Sequence, residues 1–146
     1  MDFGLRIHSK QCMGCHACEV ACKQEHDLPP GADLIRILEK IPRFQPVYCR
    51  HCVTPPCLEA CPTQAIFRDK GVVLLEPKKC IGCKACMEAC PFDAVGFDLE
   101  KGVAVKCDMC LHQRVLGGQK PACATVCPSR CIEFKGLEEM FARPWI

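Results

Sequence analysis

No stretch of this sequence approaches the roughly 18 consecutive apolar residues that a membrane-spanning helix requires. Its apolar runs, such as Gly71 to Leu75, have the length of a strand. The opening "MDFGLRIHSKQ" has no apolar h-region, no twin arginine and no small-residue cleavage site, so a soluble protein of a reducing cytoplasm is the expectation. Lysine and arginine are spread along the chain, and with a formal charge of +2 nothing reads as a nucleic-acid stripe. Gly117-Gly118 reads as a turn. Neither G-x-G-x-x-G nor G-x4-G-K-[ST] surrounds it, which removes the usual signs of a bound nucleotide or flavin.

Cysteine, by contrast, is abundant: the 146 residues contain 17. In a reducing compartment thiolates bind metal more often than they pair. Sixteen of them fall into four quartets: Cys12, Cys15, Cys18 and Cys22; Cys49, Cys52, Cys57 and Cys61; Cys80, Cys83, Cys86 and Cys90; and Cys107, Cys110, Cys123 and Cys127. The first and third follow C-x2-C-x2-C-x3-C. The second and fourth widen the middle gap, to four and twelve residues, but keep the final C-x3-C. Pro62, Pro91 and Pro128 follow the last cysteine of three motifs, and Lys23 follows that of the first.

Structural zinc is usually gripped by two C-x2-C pairs across a long spacer. Three cysteines at 2-2 spacing suit a cube: a tight loop lays three thiolates against three iron corners, and the fourth corner takes a remote cysteine, as in bacterial [4Fe-4S] runs. Four all-cysteine quartets therefore predict four [4Fe-4S] clusters. No iron is left open to a substrate, so the expected work is electron transfer and not catalysis. Each oxidised cubane with four thiolates contributes about −2, which takes the formal +2 of the polypeptide to about −6.

The strings "CMGCHACEVACK", "CRHCVTPPCLEACP", "CIGCKACMEACP" and "CDMCLHQRVLGGQKPACATVCP" resemble, in that order, the motifs of the four-cluster electron-transfer subunits of molybdenum and tungsten pterin oxidoreductases. That family serves formate dehydrogenases, dimethyl sulfoxide reductases and tungsten aldehyde oxidoreductases. The resemblance implies a nested exchange of ligands: Cys12, Cys15 and Cys18 with Cys127; Cys107, Cys110 and Cys123 with Cys22; Cys49, Cys52 and Cys57 with Cys90; and Cys80, Cys83 and Cys86 with Cys61. Residues 1–30 and 105–146 are then one lobe, 46–104 an inserted second lobe, and 31–45 the crossing. The implied partners are a large tungsten or molybdenum pterin subunit at one end of the relay and a ferredoxin or flavin subunit at the other. Head-to-tail self-association is a further option, and a free-standing polyferredoxin shuttle is the alternative function.

The expected fold is α+β, made of duplicated bacterial ferredoxin-like units with short hairpins and helices. "CPTQAIFRDKGVVLLEPKKC" and "CPFDAVGFDLEKGVAVKC" share one plan, which predicts strands over 65–68 and 72–76 and over 94–98 and 103–106. Helical turns are expected over 17–23, 58–60 and 85–89. The clusters would stand in for an ordinary apolar core. The four prolines of Leu28 to Tyr48 suggest an extended connection. Cys131 aligns with Ala65 and Ala94, so it reads as a small buried filler and not a ligand. His16, His51 and His112 find no vacancy in all-cysteine quartets and read as solvated or supporting, while His8 and His26 lie outside the motifs. Leu137, Met140 and Phe141 share one helical face in the tail, with Trp145 beyond them.

Overall fold

The computed structural model describes residues 2–136; the tail helix expected around Leu137, Met140 and Phe141 lies outside them. Among the described residues eight strands form four separate two-stranded antiparallel sheets. In chain order the elements are β1 (Phe3–Ile7), α1 (Ala17–His26), β2 (Ile35–Lys40), β3 (Arg43–Tyr48), α2 (Pro56–Ala60), β4 (Ile66–Asp69), β5 (Val72–Leu75), α3 (Ala85–Ala89), β6 (Val95–Asp98), β7 (Val103–Lys106), α4 (Ala122–Val126) and β8 (Ile132–Gly136).

The hairpins β4–β5 and β6–β7 match the two expected from the repeat, with Ile66 opposite Leu75 and Val95 opposite Lys106. A third copy of the same unit joins the two ends of the described chain. Strand β8 follows the fourth motif, as β4 and β6 follow the second and third, and it pairs with β1, placing Ile7 opposite Ile132. Phe3 and Phe134 stack across this pair at 5.6 Å. The correspondence extends to single hydrogen bonds: the His8 N–H donates to the Cys131 carbonyl at 2.8 Å, as the Glu76 N–H does to the Ala65 carbonyl at 2.7 Å.

Leu28 to Tyr48 differs from a simple crossing. Its second half is extended, as the prolines require, but folds on itself as the hairpin β2–β3 around the cis Ile41–Pro42 bond. Pro46 is tolerated in β3 because a two-stranded sheet leaves one edge of each strand unpaired. Every motif thus follows a strand that is half of an antiparallel pair.

The helices pack in twos, α1 on α4 and α2 on α3. The interior is partly aliphatic, contrary to the expectation that clusters alone would fill it. Val72, Leu74, Met109, Leu111 and Val115 form a buried group, flanked by Phe3, Leu5 and Phe134, that ties β5 to the fourth motif and to the β1–β8 pair. The Phe3 N–H adds a backbone bond to the Lys70 carbonyl at 3.0 Å.

Candidate metal centres

The first and third motifs share one local path. A short 3-10 turn, Ser9–Gln11 or Pro77–Lys79, ends on the first cysteine, whose N–H closes it on Ser9 or Pro77 at 3.2 Å. A glycine at positive φ follows two residues later, and then a left-handed residue, His16 or Lys84, enters the helix. A Cβ on Gly82 would stand 2.4 Å from the Gly102 carbonyl oxygen, and one on Gly14 would stand 2.3 Å from the Phe44 ring. In the second and fourth motifs His51 and Met109 take the equivalent positive φ. That curl turns peptide N–H groups onto sulfur: His51 donates to Cys49 Sγ at 3.4 Å and Met109 to Cys107 Sγ at 3.3 Å.

The C-x3-C ends share a second path. Pro62, Pro91 and Pro128 stop their helices, and Gln64, Asp93 and Arg130 each adopt a left-handed conformation three residues after the cysteine. The next N–H then reaches back, from Ala65 to Cys61 Sγ at 3.3 Å and from Ala94 to Cys90 Sγ at 3.5 Å. Cys131 occupies the same place: it is buried, and its Sγ lies 3.6 Å from that of Cys127.

Lys23 leaves α1 free to continue, so the residue four beyond Cys22 is helical and is His26. Its Nδ1 lies 2.9 Å from the Cys22 carbonyl and 3.7 Å from Cys22 Sγ, and its Nε2 lies 2.7 Å from Asp108 Oδ1. A carbonyl and a carboxylate both accept, so both ring nitrogens carry hydrogen and the ring is cationic. Burial works against that charge, but the bonds to Asp108, Cys110 and Cys22 outweigh it and raise the pKa above the usual histidine range. Sequence reasoning passed over His26. The signal was its offset from Cys22, which is that of Ala65, Ala94 and Cys131 from their own cysteines.

The cysteines come together across motifs. One hollow of about 340 Å³ is lined by Cys12, Cys15, Cys18 and Cys127, with Cys131 in its wall. A second, of about 330 Å³, is lined by Cys49, Cys52, Cys57 and Cys90, and a third, of about 310 Å³, by Cys61, Cys80, Cys83 and Cys86. Across the facing helices α1 and α4 the Cys123 thiol interacts with those of Cys22 and Cys18, and it also interacts with that of Cys110 in the loop after β7. Cys107 interacts with Cys123 on one side and Cys49 on the other.

Burial pushes the thiols of Cys18 and Cys123 up to about 12 and raises that of Cys107 well above its ordinary value. Burial also opposes ionisation of Cys127, but the Ser129 hydroxyl and the N–H groups of Cys131 and Ile132 bring it down to about 7. Four thiolates sharing one such hollow need a cation at its centre, so the donor set fits an all-thiolate iron–sulfur group.

Among the histidines, His16 hydrogen-bonds Glu19 and Glu39 at 3.0 Å each, and these raise its pKa. His112 is exposed. His51 is buried: its Nδ1 accepts from the Val73 N–H at 3.0 Å, which leaves the hydrogen on Nε2, and that atom has no partner. Burial, reinforced by the nearby Lys106, keeps this ring neutral by lowering its pKa well below the usual value.

No helix among the described residues is long and apolar enough to cross a membrane. The family model for the 4Fe-4S dicluster domain matches residues 42–137. The thiosulfate reductase electron transfer subunit PhsB of Salmonella typhi is 38% identical over 148 residues, covering 94% of this chain and 77% of that protein. The B subunit of the anaerobic dimethyl sulfoxide reductase of Haemophilus influenzae is 35% identical, covering 95% and 76%. One polypeptide of the BamBC active site complex of benzoyl coenzyme A reductase superposes with a TM-score of 0.51 at 20% identity, covering 97% of this chain and 89% of its own length, a likeness of fold alone. With its cofactors four [4Fe-4S] clusters, this chain belongs to the 4Fe-4S dicluster family as an iron–sulfur electron-transfer subunit and is not itself a catalyst.

Proposed function

We propose that the chain is a four-site relay whose sites are built by exchange between motifs: Cys12, Cys15, Cys18 and Cys127; Cys22, Cys107, Cys110 and Cys123; Cys49, Cys52, Cys57 and Cys90; and Cys61, Cys80, Cys83 and Cys86. The observation that carries this reading is the set of three hollows of closely similar size, each walled by three cysteines of one motif and the last cysteine of another. Each cluster supplies one-electron chemistry, alternating between two core charges. The two-lobe division, 1–30 with 105–146 and 46–104 between them, accompanies this exchange. The packing of α1 on α4 and of α2 on α3 supports it, and the crossing 31–45 overlaps the β2–β3 hairpin, which runs on to Tyr48.

The order of the relay follows from which thiols of different sites act on one another electrostatically. Cys123 feels the charge of Cys18, Cys107 that of Cys49, and Cys86 that of Cys57. The path therefore runs from the Cys12 site through the Cys107 site and the Cys49 site to the Cys80 site. Both ends reach the surface. Cys15 and Cys83 are the exposed cysteines, and beside them the residue between the first cysteine and the glycine is an exposed apolar one, Met13 at 57% and Ile81 at 65%. The inner motifs carry Arg50 and Asp108 there instead.

One end would meet a large catalytic subunit of the molybdenum or tungsten pterin type. The other would meet a ferredoxin or flavin subunit, or a second copy of this chain head to tail, in a reducing cytoplasm. The test is to replace Cys22, Cys61, Cys90 and Cys127 by alanine one at a time. Each substitution should remove the cluster of the partner motif, seen as the loss of one paramagnetic signal. Loss of the cluster of its own motif would overturn the exchange.

A further inference from the structure

At the middle of this path, where the Cys107 site meets the Cys49 site, lies a buried lysine. Lys106 ends β7 and is 7% exposed. Its Nζ donates to the Val73 carbonyl at 2.5 Å and to the Cys107 carbonyl at 3.0 Å, and among the described residues it forms no ion pair. Lys106 also lines the hollow of Cys49, Cys52, Cys57 and Cys90. An ammonium taken out of water without a carboxylate is expensive unless another negative charge faces it. The candidates are the thiolates of the two inner sites: Lys106 shares a hollow with Cys49, Cys52, Cys57 and Cys90, and its charge acts on Cys52, Cys57 and Cys107.

Val73 links this lysine to His51, because its carbonyl takes Lys106 and its N–H is held by His51 Nδ1. The Nε2 of His51 is the one buried side-chain polar atom without a partner among the described residues. It is a donor with no protein acceptor, carried by the residue that stands between Cys49 and Cys52 in the chain. A buried lysine therefore lines one of the four sites, and an unused buried donor sits on the residue between two of that site's cysteines in the chain.

We propose that Lys106, aided by His51, sets the reduction potential of the cluster held by Cys49, Cys52, Cys57 and Cys90, raising it so that an electron crossing between the lobes is held at the centre of the chain. This rests on the four-site reading above. Accepting one electron takes that quartet and its core from about −2 to about −3, and a buried positive charge beside it favours the added negative charge.

The experiment is a redox titration of the whole reconstituted chain with dithionite as reductant, followed by electron paramagnetic resonance and iron analysis. The signal of this site is identified as the one lost in Cys90→Ala. About sixteen irons and four reduction steps in the parent protein establish the four-site reading, and a different count refutes that reading independently of Lys106. Lys106→Met should keep all four clusters while the reduced-to-oxidised ratio of this one, at the parent midpoint, falls at least tenfold, about 59 mV for a one-electron couple. Lys106→Arg, which keeps the charge, should restore it, and His51→Phe should lower the potential by less than Lys106→Met does. If the methionine variant does not load, Lys106→Gln takes its place. Unchanged potentials with full loading, a fall shared by the arginine variant, or failure of both neutral variants to load would each overturn the proposal, the last by making Lys106 a purely structural residue.

Discussion

Replacing Gly82 by alanine should damage the Cys80 site more than the same change at Gly102, although both glycines have positive φ, +73° and +67°. The left-handed backbone costs an alanine about 1–2 kcal/mol at either position. At Gly102 nothing lies within 4 Å of the added methyl group, so the cost ends there. At Gly82 the methyl would lie 2.4 Å from the Gly102 carbonyl oxygen, a backbone atom in the β6–β7 turn, which is closed by the Gly102 N–H on Asp98 at 2.8 Å. Such a neighbour cannot swing aside, so overpacking adds about 1–3 kcal/mol. The two variants should therefore differ by about 1–3 kcal/mol, or about 5- to 150-fold in an equilibrium. The assay is iron retained against a graded ferrous chelator, with the lost cluster identified by electron paramagnetic resonance. Gly82→Ala should release the iron of the Cys80 site at far lower chelator concentration than Gly102→Ala. Equal release from the two variants, or release from a different site, would refute the reasoning.

Cys131→Ala should retain all sixteen irons, because alanine stands at the equivalent Ala65 and Ala94, whereas Cys127→Ala should lose the Cys12 site; iron analysis separates the two. Leu111→Ala, which empties a fully buried position against Met109 and Val115, should destabilise the chain by about 2–5 kcal/mol and bring forward the bleaching of every cluster together in guanidinium. Stripping the iron under reducing conditions should unfold much of the chain, since buried thiols replace the clusters that filled the hollows; circular dichroism that stays native would count against this. Met13→Lys and Ile81→Lys should each slow electron exchange with one redox partner and not the other, measured as separate rates at the two ends of the relay.

What was legible in the sequence was local. The C-x2-C and C-x3-C spacings, the prolines after Cys61, Cys90 and Cys127, and the turns at Gly71 and Gly102 all act within a few residues, and the hairpins β4–β5 and β6–β7 fall within a residue or so of the expected bounds. The β1–β8 pair was hidden because its strands are joined only through the whole intervening chain, although it shares with the β4–β5 hairpin the backbone bond that follows the paired residues. Helix α4 lay concealed at the end of the twelve-residue spacer, where Pro121 precedes Ala122 and opens it. The aliphatic group around Leu111 was missed because its members come from β5 and the fourth motif, too scattered to show a period. His26 and Lys106 carry no motif; their meaning depends on which sulfurs the folded chain brings beside them.

The proposed exchange of cysteines between motifs would also impose an order on synthesis. The hollow of Cys49, Cys52, Cys57 and Cys90 and that of Cys61, Cys80, Cys83 and Cys86 have all their donors once the chain has grown past Cys90. The hollow of Cys12, Cys15 and Cys18 must wait for Cys127, although its first three cysteines are the earliest to leave the ribosome. Closing the longer loop costs only about 1 kcal/mol more chain entropy than closing the shorter one, because the penalty grows with the logarithm of length. The delay is one of time and not of energy. During it three early thiols stand open to oxidation or to the wrong metal, while the second half of the relay already has all its donors.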